Sequence, residues 1–327
     1  MTEPARCAGF FEGENVNVVP SNTVSPRPKI AVFAYSEVGY VCLEELIENG
    51  ANVAIVFTHE DDPHENIWFR SVAELAAEND IPVRKDARIG DEAAALLKSL
   101  GIELILSFYY RSLIPGKVLA IPRFGSYNMH GALLPKYRGR ACVNWAVLNG
   151  ETETGATLHV MTEQADRGDI VGQESVSIGP DDTAHDVFLK VAEAARIALR
   201  RALSALEAGN PTLTPQDERL ATTFGRRRPE DGVIDWSKTA REIYNQIRAL
   251  THPFPGAFTE VDGRKFFIWH AHLSNRDAEG TEPGETGRIL SRAPYTFAAS
   301  DGAIAAEVWQ FEGEAQHTEH FEGAADS

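Results

Sequence analysis

The sequence predicts an α/β fold in which a doubly wound parallel sheet is followed by a smaller β module. Two observations carry this prediction. In the first 110 residues, short apolar runs alternate with amphipathic segments, and this β-α-β order gives a parallel sheet with right-handed crossovers. After residue 250, short strand-like runs follow one another closely, which indicates a small barrel-like β module.

The composition is that of a folded protein with about two domains. The chain has 327 residues, of which 43% are hydrophobic and 24% charged. Its 31 basic and 48 acidic residues give a formal net charge of −17, which repels phosphate backbones, so general nucleic-acid binding is not expected. Cys7, Cys42 and Cys142 are too scattered for a disulfide framework. No apolar run is long enough for membrane insertion, and a cytoplasmic location is expected.

The first unit is predicted to span residues 29–215, after an irregular, proline-containing extension over residues 1–28. We predict buried strands at 29–35, 51–59, 81–83 and 102–110, and helices at 37–50, 71–80, 91–100 and 181–210. Thr183 and Asp186 form a capping box at the start of the last helix. The turn after the first strand lacks the glycine-rich pattern of dinucleotide sites, which disfavours a nicotinamide or flavin enzyme.

The second unit is predicted to span residues 216–312, and the polar residues 313–327 are expected to form a flexible tail. A shift to Pro, Thr and Arg after residue 210 marks the linker between the units. The predicted elements are a helix at 239–250 and strands at 256–261, 265–272, 284–292, 295–300 and 303–313.

The candidate chemistry lies at the end of the run FGSYNMH, where Asn128 and His130 are two residues apart and share one side of a strand. An amide offers N–H donors to an oxyanion, and an imidazole moves protons near neutral pH, so the pair fits acyl transfer. A carboxylate that orients the imidazole and raises its pKa would complete the set, and Asp166 and Asp169 are the candidates. By itself, a histidine at a strand end is more often structural.

The neighbouring motifs resemble those of the formyltransferases that use 10-formyltetrahydrofolate. NMHGALLPKYRGR (128–140) is followed by WAVLNGETETGATLH (145–159) and a downstream aspartate. Among these enzymes, the strings VFAY, FTHEDDP, SFYYRSLI and FGRRRPEDG look most like the module that formylates UDP-4-amino-4-deoxy-L-arabinose. The resemblance covers residues 29–312 and implies a Rossmann-like domain followed by an OB-like domain.

The resemblance also implies roles for individual residues. Asn128 would stabilise the oxyanion, His130 would act as general acid and base, and Asp166 would raise the pKa of the histidine. The pocket for 10-formyltetrahydrofolate would be lined by Ser112, Leu113, Ile114, Arg140, Thr162, Glu163, Gln164 and Ala165. Arg140 could instead form a scaffold salt bridge.

Other candidates stay open between binding and structure. Tyr109 and Tyr110 either stack on the pterin or pack in the core, and Arg226, Arg227 and Arg228 either hold nucleotide phosphates or brace the domain junction. No metal is expected: the run with His59, Asp61, Asp62 and His64 reads as a solvated loop, and His252 as a structural residue.

The predicted activity is therefore transfer of a formyl group from 10-formyltetrahydrofolate to the amine of a nucleotide-linked amino sugar. One alternative is a methionyl-tRNA formyltransferase, which the net charge of −17 disfavours. Another is a folate- or sugar-nucleotide-binding module without catalysis, against which the complete set of Asn128, His130 and Asp166 argues. A homodimer is expected by analogy with free-standing sugar formyltransferases.

Overall fold

A mixed seven-stranded sheet forms the centre of the first unit. The computed structural model describes residues 27–85, 88–274 and 286–319. The strand order is β3-β2-β1-β4-β5-β7-β8, in which the five strands from β3 to β5 are parallel and β7 and β8 are antiparallel to their neighbours. The parallel part confirms the predicted α/β class, and the two antiparallel strands at one edge were not predicted.

The strands of this unit are β1 (Ile30–Ala34), β2 (Val53–Phe57), β3 (Val83–Arg84), β4 (Leu104–Phe108), β5 (Ser126–His130), β6 (Arg138–Gly139), β7 (Glu153–Val160), β8 (Ile170–Ser177) and β9 (Thr223–Phe224). Its helices are α1 (Ser36–Glu48), α2 (Val72–Glu78), α3 (Asp91–Leu100), α4 (Gly116–Leu119), α5 (Cys142–Leu148) and α6 (Ala184–Glu207). The predicted capping box of α6 is confirmed, because Thr183 Oγ1 accepts from the Asp186 amide and the Asp186 carboxylate accepts from the Thr183 amide.

Both faces of the parallel sheet are buried, as the continuously apolar strands predict. In β1, Val32 faces a core shared with α1 and α6, whereas Phe33 faces the opposite core, which contains Leu97 of α3. Cys42 and Cys142 are buried free thiols, and Cys7 lies outside the described residues. Because both faces of the sheet are covered, the carboxyl ends of its parallel strands are the part that is left open to a ligand.

The second unit is an antiparallel sheet with one helix. It contains α7 (Ala240–Leu250), β10 (Ala257–Val261), β11 (Arg264–Ser274), β12 (Ile289–Arg292), β13 (Tyr295–Ala298), β14 (Ala303–Phe311) and β15 (His317–Thr318). The order is β10-β11-β14-β13-β12, with β15 added to β14. Within the described residues the sheet is open, because β10 and β12 do not pair with each other. Part of the predicted strand at 284–292 and most of the predicted flexible tail lie outside these residues, as does nearly all of the N-terminal extension.

The linker is hydrogen-bonded to the first unit before the chain enters the second. Thr214 pairs with Ile170, and β9 pairs in parallel with β6. At the junction, Asn144 Nδ2 of α5 donates to the Ala249 carbonyl of α7 (2.9 Å). The predicted boundary after residue 215 stays a prediction.

None of the helices in the described parts of the chain combines the length and the apolar character that crossing a membrane requires.

Glu45 holds α1 against α6 and gives the fold a measurable pH dependence. Its side chain is fully buried and accepts from Arg200 Nε (2.6 Å) and Arg196 Nε (2.8 Å). The bond to Arg200 outweighs the effect of burial and, with those to Arg196 and Asn49, lowers the pKa of Glu45 from 4.5 to about 2. The stabilisation is therefore complete above pH 4.5 and disappears as the pH falls towards 2.

We expect Glu45→Gln to lower the free energy of unfolding by ~2 kcal/mol at neutral pH, because both arginines lose a charged acceptor. Urea unfolding at neutral pH and near pH 2 measures this effect, which should vanish at the acidic end. Glu44→Gln is the matched control: its carboxylate is partly exposed and contacts Arg196 at 3.2 Å, so a smaller change is expected. An equal effect of the two variants at both pH values would contradict this account.

Candidate active site

Asn128 and His130 lie at the carboxyl end of β5, where the sheet changes from parallel to antiparallel. β5 pairs in parallel with β4 and antiparallel with β7, so Asn128 stands opposite Ser107 on one side and His159 on the other. The alternation of a strand places Asn128 and His130 on the same face. The predicted pair therefore lies at the carboxyl ends of the parallel strands, where ligands bind in doubly wound folds.

The imidazole of His130 is buried and has one nitrogen free for proton transfer. Its side chain is 7% exposed, and Nε2–H donates to the Tyr137 carbonyl (2.8 Å). Nδ1 faces Asp166 Oδ1 at 3.6 Å. Burial lowers the pKa of His130 below its usual 6.5, and the charge of Asp166 opposes this effect without cancelling it. The ring is therefore neutral at neutral pH, with Nδ1 able to accept a proton.

Asp166 is held in place by the loop after β6. Its Oδ2 accepts from the Gly139 amide (2.9 Å), and its own backbone is left-handed, with φ of 58°. Burial alone would raise the pKa of this carboxyl, but His130, His159 and the Gly139 amide together hold it well below the usual range. Gly139 has φ of 100°, and a Cβ there would lie 2.2 Å from the Phe224 carbonyl oxygen, so only glycine fits.

His159 is a further member of the site that the sequence analysis did not single out. With Nδ1–H donating to the Val160 carbonyl (2.9 Å), Nε2 accepts from Asn128 Nδ2 (3.2 Å). The same Nε2 is 3.6 Å from Asp166 Oδ1. His159 thus contacts both the amide and the carboxylate. Its position follows from the antiparallel pairing of β7 with β5, for which the sequence offers no local signal.

Loss of the Asn128 side chain is expected to slow the reaction strongly. Asn128 Nδ2 carries two hydrogens, of which His159 takes one, so the other can donate to an oxyanion. We expect Asn128→Ala to lower kcat by about 10²–10³-fold, the usual cost of removing one such donor. Steady-state kinetics at saturating donor measures this. Unchanged kcat would exclude the amide from stabilising the transition state.

Loss of His159 is expected to have a smaller effect, because this buried ring acts by orienting Asn128 and Asp166. We expect His159→Ala to lower kcat by about 10-fold, because the variant loses the one hydrogen bond that orients the Asn128 amide. The double variant Asn128→Ala/His159→Ala tests the coupling: its loss should be less than the product of the two single losses. Independent, multiplicative losses would show that His159 does not act through Asn128.

The two segments predicted to line a folate pocket lie side by side. The Glu163 carboxylate covers Gly116, where an added Cβ would lie 2.5 Å from Oε1, so the loop after β7 touches the segment after β4. Ile114 is buried, whereas Leu113 is 78% exposed on the rim. Thr162 Oγ1 donates to the Gln164 carbonyl (2.7 Å) and shapes the second loop. Ser112 is half-buried, and the side chain of Ala165 is exposed. The contact of these residues with the folate donor stays a prediction.

Arg140 lies between these loops and the three residues Asn128, His130 and Asp166, which we call the triad. Its Nη2 approaches the Arg111 carbonyl at 3.4 Å, and its backbone N–H donates to Phe224. It forms no salt bridge within residues 27–85, 88–274 and 286–319 and follows directly after Gly139, which binds Asp166. This placement is compatible with the predicted contact to the donor, which stays a prediction.

Tyr109 and Tyr110 point into the protein. The Tyr109 ring meets Phe188 edge-on, and a Cβ on Gly131 would lie 1.6 Å from its hydroxyl. The Tyr110 ring stacks on His59 at 4.2 Å and meets Phe33 edge-on. Of the two readings left open, these contacts support packing.

The side-chain contacts of Arg227 support a bracing role, although within the described residues its Nε is buried without a hydrogen-bond partner, and the roles of Arg226 and Arg228 stay predictions. The Arg227 guanidinium lies 4.7 Å from the centre of the Trp145 ring, and its Nη2 donates to the Asp231 carbonyl (2.8 Å). The Arg228 amide donates to the Asp231 carboxylate (2.7 Å), and the Arg226 side chain is exposed. All three follow β9, which pairs with β6 near Asp166, so they lie close to the site.

The run from His59 to His64 is a loop held by neighbouring side chains. His59 Nε2 accepts from the Arg111 amide (3.1 Å), Asp61 accepts from the Tyr35 hydroxyl (2.8 Å), and Asp62 accepts from the His64 amide. In the described parts of the chain, no cluster of three or more His, Cys, Asp or Glu side chains is arranged to hold a metal. His252 stacks on Trp269 at 3.8 Å in the second unit, in keeping with a structural role.

Two family profiles match most of the chain. The profile described as "Formyl transferase" matches residues 28–203, and that described as "Formyl transferase, C-terminal domain" matches residues 227–321. The first covers the sheet with Asn128, His130 and Asp166, and the second covers the antiparallel sheet.

Solved structures share the fold at low sequence identity. An N-formyltransferase from Helicobacter canadensis, in complex with folinic acid and dTDP-3-aminofucose, is 22% identical over 85% of this chain and 99% of its own, with a TM-score of 0.67. A sugar 3N-formyl transferase, in the presence of dTDP and 5-N-formyl-THF, is 22% identical over 88% and 99%, with a TM-score of 0.66. A 4-N formyltransferase from Francisella tularensis is 23% identical over 74% and 96%, with a TM-score of 0.61.

Proposed function

Because the chain belongs to the formyl transferase family, we propose that it moves a formyl group from 10-formyltetrahydrofolate to the amine of a nucleotide-linked amino sugar. The observation that carries this proposal is the convergence of Asn128, His130 and Asp166 at the carboxyl end of β5. The complexes of similar structures with folate derivatives and with dTDP or a dTDP-sugar support the choice of donor and acceptor class.

In the proposed step, a C–N bond forms between the sugar amine and the formyl carbon, and the bond from that carbon to the folate nitrogen breaks. His130 Nδ1 accepts the proton that the attacking amine loses and returns it to the departing nitrogen, so the imidazole is unchanged after each turnover. Asp166 stabilises the transient imidazolium. Asn128 Nδ2 donates to the oxygen of the carbonyl as its charge develops.

For the acceptor, we propose UDP-4-amino-4-deoxy-L-arabinose, on the resemblance of the sequence motifs. Transfer to an initiator tRNA is the rival, and the net charge of −17 argues against a polyanionic acceptor. A catalytically silent binding module has no need for a neutral, buried histidine that faces a buried carboxylate.

The test is incubation of the purified protein with 10-formyltetrahydrofolate and a panel of UDP- and dTDP-linked amino sugars, with release of tetrahydrofolate as the readout. Release that depends on an amino sugar supports the proposal, and the panel identifies the acceptor. Equal release without any amine would indicate hydrolysis, and binding of donor without release would indicate the silent module. A homodimer in solution and a cytoplasmic location are also part of the proposal, and light scattering tests the first.

A further inference from the structure

A polar pocket separate from the triad lies at the carboxyl ends of β1, β2 and β3. Its walls are the start of α1 and the loop from β2 to α2. Its lining includes Tyr35, Ser36, Thr58, Arg70 and Lys85, together with Asp61, whose carboxylate accepts from the Tyr35 hydroxyl. The triad described above does not use these residues. The pocket is therefore available for a part of the substrate away from the reacting amine.

Two hydroxyl groups line this pocket without a partner. Ser36 is 9% exposed and Thr58 is 2% exposed, and within the described ranges 27–85, 88–274 and 286–319 neither hydroxyl takes part in a hydrogen bond. Ser36 also has a left-handed backbone, with φ of 66°, which a residue with a Cβ rarely adopts. The two side chains are buried, and their hydroxyls keep hydrogen-bonding capacity for a ligand.

The start of α1 adds backbone donors to these hydroxyls. α1 has 13 residues, and its N-cap, Tyr35, makes no side-chain capping bond. The amides of the first helical turn have no acceptor within a helix, and they carry the positive end of the helix dipole. Together with the hydroxyl of Ser36 they form a donor set that suits a phosphate oxygen.

Two cations at the mouth of the pocket are paired with carboxylates that a phosphate could replace. Arg70 Nε donates to Glu37 (2.9 Å), and Lys85 Nζ donates to Glu60 (2.9 Å). The side chains of Arg70 and Lys85 are 49% and 39% exposed. Glu37, the partner of Arg70, is only 12% exposed, whereas Glu60, the partner of Lys85, is 72% exposed. The Lys85–Glu60 pair is therefore worth at most ~1 kcal/mol, and exchanging Glu60 for a phosphate costs little.

A chain of contacts links the pocket to Asn128, His130 and Asp166. The Tyr35 amide donates to the Phe108 carbonyl (3.1 Å), the Arg111 guanidinium lies 4.6 Å over the Tyr35 ring, and Arg140 approaches the Arg111 carbonyl. β1 and β5 are separated by β4 alone, so their ends are two strand spacings, ~10 Å, apart. A sugar ring with its attached phosphate can span such a gap.

We propose that this pocket, at Ser36, Thr58 and Arg70, binds the diphosphate of the nucleotide-linked sugar whose amine His130 deprotonates. This assignment rests on the proposed function, and it places the phosphates at the start of α1 and away from Arg226, Arg227 and Arg228. Arg227 Nη2 donates to the Asp231 carbonyl, and the side chains of Arg226 and Arg228 are exposed, whereas within the described ranges the two buried pocket side chains have hydroxyls that make no hydrogen bond.

The test is calorimetric titration of the full chain with UDP, inorganic pyrophosphate and uridine. We expect Ser36→Ala, which keeps the Cβ, and Arg70→Ala each to weaken UDP binding about 10-fold, because each removes a hydrogen bond to a charged group. Pyrophosphate should show the same dependence, and uridine should show none. Glu60→Gln should strengthen UDP binding, since it frees Lys85. Arg201→Ala on α6, which pairs with Glu174 away from the pocket, is the matched control for loss of one positive charge.

Wild-type UDP affinity in both Ser36→Ala and Arg70→Ala would overturn the assignment, and so would a uridine affinity that falls as much as that of UDP. Absence of UDP binding to the wild-type protein would also overturn it. These titrations need neither donor nor turnover. Formyl transfer by the wild-type protein that persists while the two variants bind UDP normally would therefore reject the pocket and leave the proposed function intact.

Discussion

Replacing His130 with alanine is expected to lower kcat for formyl transfer by about 10²–10⁴-fold, the range associated with loss of a general acid and base. The reason lies in the two nitrogens of the ring. Nε2–H is bound to the Tyr137 carbonyl, and Nδ1, 3.6 Å from Asp166, is left to carry the proton. The other described histidine of the site, His159, has no such nitrogen, because its Nδ1 is hydrogen-bonded to the Val160 carbonyl and its Nε2 to Asn128 Nδ2.

The same variant should bind the folate donor nearly as the wild-type protein does, because the predicted donor loops lie on other segments. His130→Gln sharpens the test: its amide can donate to the Tyr137 carbonyl and preserve the packing, but it cannot accept a proton and return it. Both variants should be equally slow. His252→Ala, in the second unit, is the matched control and should keep wild-type kcat. Turnover near the wild-type rate in His130→Gln would rule out proton transfer by this ring.

The pH dependence of the reaction follows from the burial of His130. Burial lowers its pKa below 6.5, so the neutral form that accepts the proton is present at and above neutral pH. Activity is therefore expected to fall only when the pH drops below this lowered pKa. A plot of kcat/KM against pH for the free enzyme reports this group, and an acid limb above pH 6.5 would contradict the assignment.

The local pattern of the sequence was sufficient to predict the parallel part of the sheet and the paired residues of β5. The apolar runs that became β1 and β4 are buried on both faces. α6 begins one residue after its predicted cap, and α7 begins one residue after its predicted start. Such features depend on neighbours in sequence. Asn128 and His130 were found for the same reason, since residues two apart in a strand share a face.

The part that the sequence did not predict depends on pairing between distant segments. β7 is antiparallel to β5, and only this register brings His159 opposite Asn128. Read locally, the histidine in GATLHV is one residue of a buried strand. The linker is a second example: the short parallel pair β6 and β9 holds Gly139 against Phe224, and Gly139 in turn holds Asp166. The motif resemblance supplied Asp166, whereas the spacing alone left Asp169 open.

Asp166→Asn is expected to lower kcat by about 10²–10⁴-fold while the site keeps its shape. The asparagine retains a side-chain oxygen that can accept from the Gly139 amide, so the loop stays in place. What is lost is the negative charge beside Nδ1 of His130. Without it, the imidazolium that forms when the amine loses its proton is left unpaired in a buried site, and the transition state is destabilised.

The direction in which the acid limb of the pH–rate profile moves distinguishes loss of the Asp166 charge from loss of structure. In the wild-type protein, burial lowers the pKa of His130 and Asp166 raises it, with burial the larger effect. Removing the carboxylate leaves burial unopposed, so the acid limb of the pH profile should move to still lower pH as kcat falls. A misfolded site would lower the rate at every pH without this shift. Asp169→Asn, three residues away, should change neither rate nor limb, and a loss there as large as that of Asp166→Asn would transfer the catalytic role to the other carboxylate.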